Sequence, residues 1–80
     1  MQRYMVVERF KPGAGKVVYE RFHERGRMLP AGLFFENSWV DQELTICFQL
    51  MRTNDRTLLE KWFQNWVDLI DFEVIPLRVE

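Results

Sequence analysis

The sequence predicts an α+β domain of the order β-α-β-β-α-β, a ferredoxin-like four-stranded antiparallel sheet with two helices on one face. The 80 residues suffice for a single domain, residues 1–80. Segments typical of strands alternate with two segments of helical periodicity. The stretch from Leu44 to Met51 alternates between a wholly apolar face and an uncharged, half-polar face, which indicates a central strand without a solvent-exposed face.

Strand and helix patterns divide the chain into six elements. Four segments have strand patterns: Arg3–Phe10, Leu33–Val40, Leu44–Met51 and Asp71–Val79. Two segments have apolar residues at helical spacing: Lys16 to about Leu29, and a segment that follows the N-cap cluster Thr53-Asn54-Asp55 and includes Leu59, Trp62, Trp66 and Ile70. Pro30 prevents the first helix from continuing, and Pro76 places the last strand at an edge of the sheet.

The turn at Asp41-Gln42 sets the predicted register of the two middle strands. If the turn has two residues, Glu36 lies opposite Cys47. One face then carries Leu33, Phe35, Asn37 and Trp39 with Leu44, Ile46, Phe48 and Leu50, and we expect it to contact the helices. The other face carries Phe34, Glu36 and Ser38 with Thr45, Cys47 and Gln49. A one-residue slip would mix these two sets.

The composition predicts a homodimer. Hydrophobic residues make up 48% of the chain and aromatic residues 15%, more than two layers of so small a domain can bury. We expect the open sheet face, about 20 by 19 Å, to carry Phe34, Cys47, Gln49 and Met51 and to pack against the same face of a second copy.

Charge and cysteine content exclude several classes of partner. A net charge of -1 with both signs interspersed predicts neither nucleic acid nor a membrane surface as partner. The apolar run from Tyr4 to Val7 is closed by Glu8, far shorter than a signal-peptide core, and no apolar run approaches a membrane span. One cysteine forms no internal disulfide and fits a reducing compartment, so we expect a cytoplasmic protein.

A resemblance to a known family covers nearly the whole chain. The segments that carry it are Tyr4–Phe10, Gly26–Pro30, Gly32-Leu33, Ser38-Trp39, Cys47–Met51, Trp62, Trp66 and Asp68–Val74. Together they resemble domain of unknown function 3303. The resemblance implies the dimeric α+β barrel superfamily, in which two ferredoxin-like sheets pack face to face around small cavities. That superfamily includes cofactor-free monooxygenases, haem-degrading enzymes, isomerases and proteins with no known activity. The family itself implies no mechanism and no catalytic residues.

The polar residues of the predicted open face form the candidate binding site. We expect a cavity for a small organic ligand on that face, bordered by five residues: Phe34, Glu36, Ser38, Cys47 and Gln49. Tyr4 and Glu8, or alternatively Met5 and Arg9, join it according to the phase of the first strand. A carboxylate in a closed interior has a raised pKa unless it is paired, and Glu36 is the first candidate base.

Two functions therefore remain open. The first is a small-molecule-binding or assembly module, and the alternative is a cofactor-free monooxygenase- or isomerase-like enzyme that uses an interior carboxylate. A buried Glu8 or Glu36 without an arginine partner would favour the enzyme. The sequence has no pattern that combines a nucleophile, a base and an orienting residue, and this favours the module. No cysteine, histidine and carboxylate cluster has metal-ligand spacing, so neither a metal nor a cofactor is predicted.

Overall fold

A computed structural model describes residues 1–79, which form a four-stranded sheet and two helices. The strands are β1 (Gln2–Phe10), β2 (Leu33–Val40), β3 (Ile46–Thr53) and β4 (Ile70–Leu77). The helices are α1 (Gly15–Arg25) and α2 (Thr57–Phe63). The sheet order is β2-β3-β1-β4, and each neighbouring pair is antiparallel. The ferredoxin-like fold class is therefore confirmed, and Pro76 lies on an edge strand as predicted.

Both helices cover the same face of the sheet. The core between the layers includes Val6 of β1, Met51 of β3, Val18 of α1, and Leu59 and Trp62 of α2. Each of these large side chains stabilises the fold by about 1.5–3 kcal/mol through its burial. The hydrophobic contacts between layers thus fix which side of each strand faces the helices.

The predicted orientation of the third strand was wrong. Cys47, Gln49 and Met51 are buried beneath the helices, whereas Phe48 and Leu50 lie on the open face. The prediction assumed that a helix layer requires a wholly apolar partner. The polar side chain of Gln49 is tolerated on the helix-covered face because both ends of its amide are hydrogen-bonded there.

The connection between β2 and β3 is longer than the predicted two-residue turn. It spans residues 41–45. The side chain of Asp41 accepts hydrogen bonds from the backbone N–H groups of Thr45, at 2.7 Å, and Ile46, at 2.8 Å. Leu44 adopts a left-handed φ of 57°. The strand therefore begins at Ile46 rather than at Leu44.

A β-bulge at Glu36 changes the face that the first half of β2 presents. Ser38 lies opposite Gln49, but the register shifts between Phe35 and Asn37, and Phe34 lies opposite Arg52. Phe34 and Glu36 therefore lie on the open face, as predicted. The predicted faces of Asn37, Ser38 and Trp39 were wrong, because Asn37 and Trp39 lie on the open face and Ser38 faces the helices. The predicted pairing of Glu36 with Cys47 was wrong because the longer connection places Val40 opposite Cys47.

Both helices end earlier than their periodicity predicted. Gly26, with a φ of 69°, ends α1 at Arg25, and its N–H donates to the carbonyl of Phe22. α2 ends at Phe63 and continues as tight turns in which Trp66 N–H donates to the Phe63 carbonyl. Ile70 therefore begins β4 and is not part of the helix.

Candidate functional site

A cavity of about 150 Å³ lies between the helices and the sheet. Its polar lining comes mainly from the sheet and the segment after α1: Glu8, Arg27, Ser38, Cys47 and Gln49. Its aromatic and aliphatic walls are Phe10, Val18, Tyr19, Phe22, Trp62, Trp66 and Ile70. Few polar groups among aromatic walls are typical of small-molecule sites.

Glu8 contributes a buried carboxyl group to this cavity. The residue is only 4% exposed, because β1 is a central strand and its even-numbered side chains face the helices. Gln49 Nε2 donates to Glu8 Oε2 at 2.6 Å, and this is the one hydrogen bond that the carboxyl group receives from a side chain of residues 1–79. Burial raises the pKa of Glu8 from its ordinary 4.5 to about 7, although the Gln49 hydrogen bond and the Arg27 charge both lower it.

Arg27 is connected to Glu8 through the same glutamine. Arg27 Nε donates to Gln49 Oε1 at 3.0 Å, and Nη2 lies 3.4 Å from the Ser38 hydroxyl oxygen. A guanidinium only donates, so it fixes the orientation of the Gln49 amide, whose nitrogen must then face Glu8. The three side chains form one hydrogen-bonded chain along the cavity wall.

The backbone around Arg27 is held by the two buried tryptophans. The indole N–H groups of Trp62 and Trp66 donate to the Arg27 carbonyl at 2.8 and 3.1 Å. Met28 has a left-handed φ of 62°, which is uncommon for a residue with a side chain. The guanidinium carbon lies 3.5 Å from the Phe35 ring centre. The main chain and side chain of Arg27 are thus both fixed.

Sequence reasoning did not identify Arg27 as a site residue. The signal was the helix-ending Gly26 before it and Pro30 after it, which indicate a loop that turns back along the sheet. Tyr19 and Phe22 were likewise not among the predicted site residues.

Cys47 and Tyr19 are neutral neighbours of Glu8. Burial, with the Glu8 charge as a smaller cause, raises the pKa of the Cys47 thiol to about 12. Burial also raises the pKa of the Tyr19 phenol above its ordinary 10.0. Because only a thiolate is an effective nucleophile, Cys47 behaves as a small buried apolar residue.

The seven predicted site residues fall into three groups. Glu8, Ser38, Cys47 and Gln49 line the cavity. Tyr4 shares their face of the sheet but belongs to the hydrophobic core. Phe34 and Glu36 lie on the opposite face, so the predicted position of the cavity, on the face away from the helices, was wrong. That the lining residues bind a ligand stays a prediction.

Glu36 does not have the environment of a general base. Its carboxylate pairs with Arg3 at 2.8 Å and lies 3.7 Å from Arg52. The hydrogen bond from Arg3 holds the pKa of Glu36 below its ordinary value. Of the two interior glutamates considered from the sequence, only Glu8 lacks a direct arginine partner within residues 1–79.

The open face of the sheet is largely apolar. Phe34, Trp39, Phe48 and Ile75 are exposed there, and Leu50 lies among them. Ion pairs flank this patch, with Arg3–Glu36 toward one end of the strands and Arg9–Glu73 toward the other. We call the four exposed side chains with Leu50 the open-face patch.

Two further features concern metals and membranes. In the part of the chain that the structure describes, no three His, Cys, Asp or Glu side chains are grouped to hold a metal ion. None of the helices within residues 1–79 has the length and apolar character needed to cross a membrane.

Comparison with known proteins gives a family but no activity. A family model described as a domain of unknown function (DUF3303) matches residues 2–78, nearly the entire chain. A search of proteins with curated functions found no match.

Proposed function

We propose that this chain, which belongs to the DUF3303 family, binds a small organic molecule between the helices and the sheet. The observation that carries the proposal is the hydrogen-bonded chain Glu8–Gln49–Arg27, which lines a cavity whose other walls are mainly aromatic and aliphatic. Polar groups placed in this way orient a ligand, while the rings supply apolar contact.

The size of the cavity limits the ligand. An apolar cavity of about 150 Å³ accepts a benzene-sized molecule, and this cavity has a volume of about 150 Å³. Glu8 and Arg27 offer an acceptor and a donor on opposite sides of Gln49. The ligand therefore has one small ring or a short apolar body with one or two polar groups.

A fragment screen by ligand-observed NMR tests the binding proposal. Ser38→Phe places a ring in the cavity and should abolish the hits while circular dichroism remains native. Gln42→Phe, at an exposed turn position, is the matched control and should keep them. Hits that persist in Ser38→Phe, or no hits with the wild-type protein, would refute the proposal.

The second candidate function is a cofactor-free isomerase-like enzyme with Glu8 as its base. The supporting observation is that the buried carboxyl group has a neutral amide as its side-chain partner and a pKa raised to about 7. A base with a pKa near the working pH transfers protons efficiently. Glu8 would accept a proton from a carbon next to a carbonyl and return it to another carbon of the same substrate.

Deuterium exchange tests the enzyme. A small cyclic ketone in D₂O should exchange its α-protons faster with the wild-type protein than with Glu8→Gln, as measured by proton NMR. Equal exchange with both proteins would remove Glu8 from the role of base. If the enzyme is instead a cofactor-free monooxygenase, it would consume dioxygen, which an oxygen electrode records.

The open-face patch favours a homodimer. Its exposed aromatic and aliphatic side chains lie together on one face of the sheet, and a second copy would cover them by a twofold-symmetric contact. Phe48→Lys would bury an unpaired charge in that contact and should dissociate the dimer. Sedimentation equilibrium at micromolar concentration measures the mass, with Gln64→Lys, at an exposed position directly after α2, as control. A wild-type monomer under these conditions contradicts the proposal.

The free, buried thiol of Cys47 supports a cytoplasmic location, since a reducing compartment keeps single cysteines unpaired. Fractionation of cells that produce the protein tests this location. Recovery with membranes or in the medium would contradict it.

A further inference from the structure

Arg27 brings a positive charge to the cavity without a carboxylate against it. The guanidinium takes part in no ion pair within residues 1–79. Its two hydrogen bonds to side chains go to neutral groups, Gln49 and Ser38, the latter at a long 3.4 Å. A guanidinium has more N–H donors than these two bonds use, so donors remain for a ligand.

The surroundings of the guanidinium are aromatic. Its central carbon lies 3.5 Å from the ring centre of Phe35 and 5.1 Å from that of Phe22. Trp62 and Trp66 also line the cavity, and their indole N–H groups are already occupied by the Arg27 carbonyl. These rings therefore offer apolar surface, and the arginine offers a charge with fixed position.

We propose that the cavity takes a small aromatic monocarboxylate, with its carboxylate on the free N–H groups of Arg27 and its ring against the aromatic wall. The proposal rests on the function proposed above and names its ligand class. A planar guanidinium matches a carboxylate better than any other side chain does, and the pair gains strength where water is excluded. The volume of about 150 Å³ accommodates one ring.

The protein takes up a proton when it binds this ligand. Glu8 is the carboxyl group closest to Arg27 in the hydrogen-bonded chain, and an anionic ligand on Arg27 opposes its ionisation. The other groups that face Glu8 are Tyr19 from α1 and Cys47 from β3, whose pKa values are raised, so both stay neutral. Asp41 acts on these two groups from the end of β2. From α2, the turns after it and β4, the residues that line the cavity are Trp62, Trp66 and Ile70, none of which carries a charge.

Calorimetric titration with benzoate and its neutral isostere benzamide tests the ligand class. The wild-type protein should bind benzoate more tightly than benzamide. Arg27→Met should weaken benzoate by roughly tenfold or more and change benzamide little. In buffers of different ionisation enthalpy at about pH 8, benzoate binding should take up about one proton. Glu8→Gln should bind benzoate without that uptake.

The possible failures are distinguishable. Equal affinity for benzoate and benzamide, or unchanged benzoate affinity in Arg27→Met, overturns the ligand class while small-molecule binding stands. Fragment hits without benzoate binding would likewise overturn the ligand class and leave small-molecule binding in place. If neither probe nor any fragment binds the wild-type protein, the proposed function itself fails. If Arg27→Met does not fold, Arg27→Lys replaces it. This variant should bind benzoate several-fold more weakly than the wild-type protein and keep the proton uptake, because lysine keeps the charge but loses the bidentate contact.

Discussion

The buried carboxyl of Glu8 makes the stability of the protein depend on pH. Its pKa in the folded protein is about 7, against an ordinary value of 4.5. A folded state that holds a proton more tightly than the unfolded state is favoured at low pH. The Glu8 contribution is therefore fully present below about pH 4.5 and is lost as the pH rises through about 7. Glu8→Gln, which keeps the shape and stays neutral, should abolish this loss.

The size of the effect follows from the two pKa values. The linkage relation gives a loss of about 2.5 kcal/mol in unfolding free energy between about pH 5 and about pH 8. Relative to the wild-type protein, Glu8→Gln should therefore gain about that much stability over the same interval. Glu36, Asp41, Asp55 and Asp68 have lowered pKa values, but both proteins share them and their effects cancel in the comparison.

Urea unfolding followed by tryptophan fluorescence measures this difference at one protein concentration and at both pH values. Glu24→Gln, at an exposed position on α1, is the matched control. Its unfolding free energy should differ from that of the wild-type protein by the same amount at both pH values. A free-energy difference between Glu8→Gln and wild type that is the same at about pH 5 and about pH 8 would refute the reasoning. Glu8 would then be hydrated or paired in solution.

Three further predictions concern stability and reactivity. Trp62→Ala and Trp66→Ala should each destabilise the protein by about 3–5 kcal/mol in denaturant titration, because each removes a buried ring and an indole hydrogen bond; a loss below about 1 kcal/mol would show that the ring is not packed in the core. Gly26→Ala should cost about 1–3 kcal/mol although its methyl group would have room, because the backbone there suits only glycine; an unchanged urea midpoint contradicts this. Cys47 should react with iodoacetamide far more slowly in the folded protein than in urea, since burial keeps it a thiol; equal rates contradict that.

Periodicity predicted the elements because hydrophobic spacing determines which side chains can be buried together. The predicted strand Leu33–Val40 matches β2, and Trp62 and Trp66, which belong to the apolar helical spacing, are 1% and 5% exposed. Periodicity does not specify which face of a two-sided strand receives the helices. Both faces of β3 are suited to burial, and the choice depends on partners far along the chain.

The site was less predictable because two local irregularities decide it. The bulge at Glu36 separates Phe34 and Glu36, which lie on the open face, from Ser38, which faces the helices, and alternation alone does not reveal a bulge. Gly26 ends α1 early and places Arg27 over the sheet, where Gln49 links it to Glu8. Four predicted residues nevertheless line the cavity, because polar side chains on interior strands gather where they can be hydrogen-bonded.

The three tryptophans provide the most direct test of where a ligand binds. Trp62 and Trp66 line the cavity, whereas Trp39 is 51% exposed on the open face. In a proton–nitrogen correlation spectrum, the bound fragment should shift the indole signals of Trp62 and Trp66, together with the side-chain amide of Gln49, and leave Trp39 unchanged. A shift confined to Trp39 would place the ligand on the open face and contradict a binding site between the helices and the sheet.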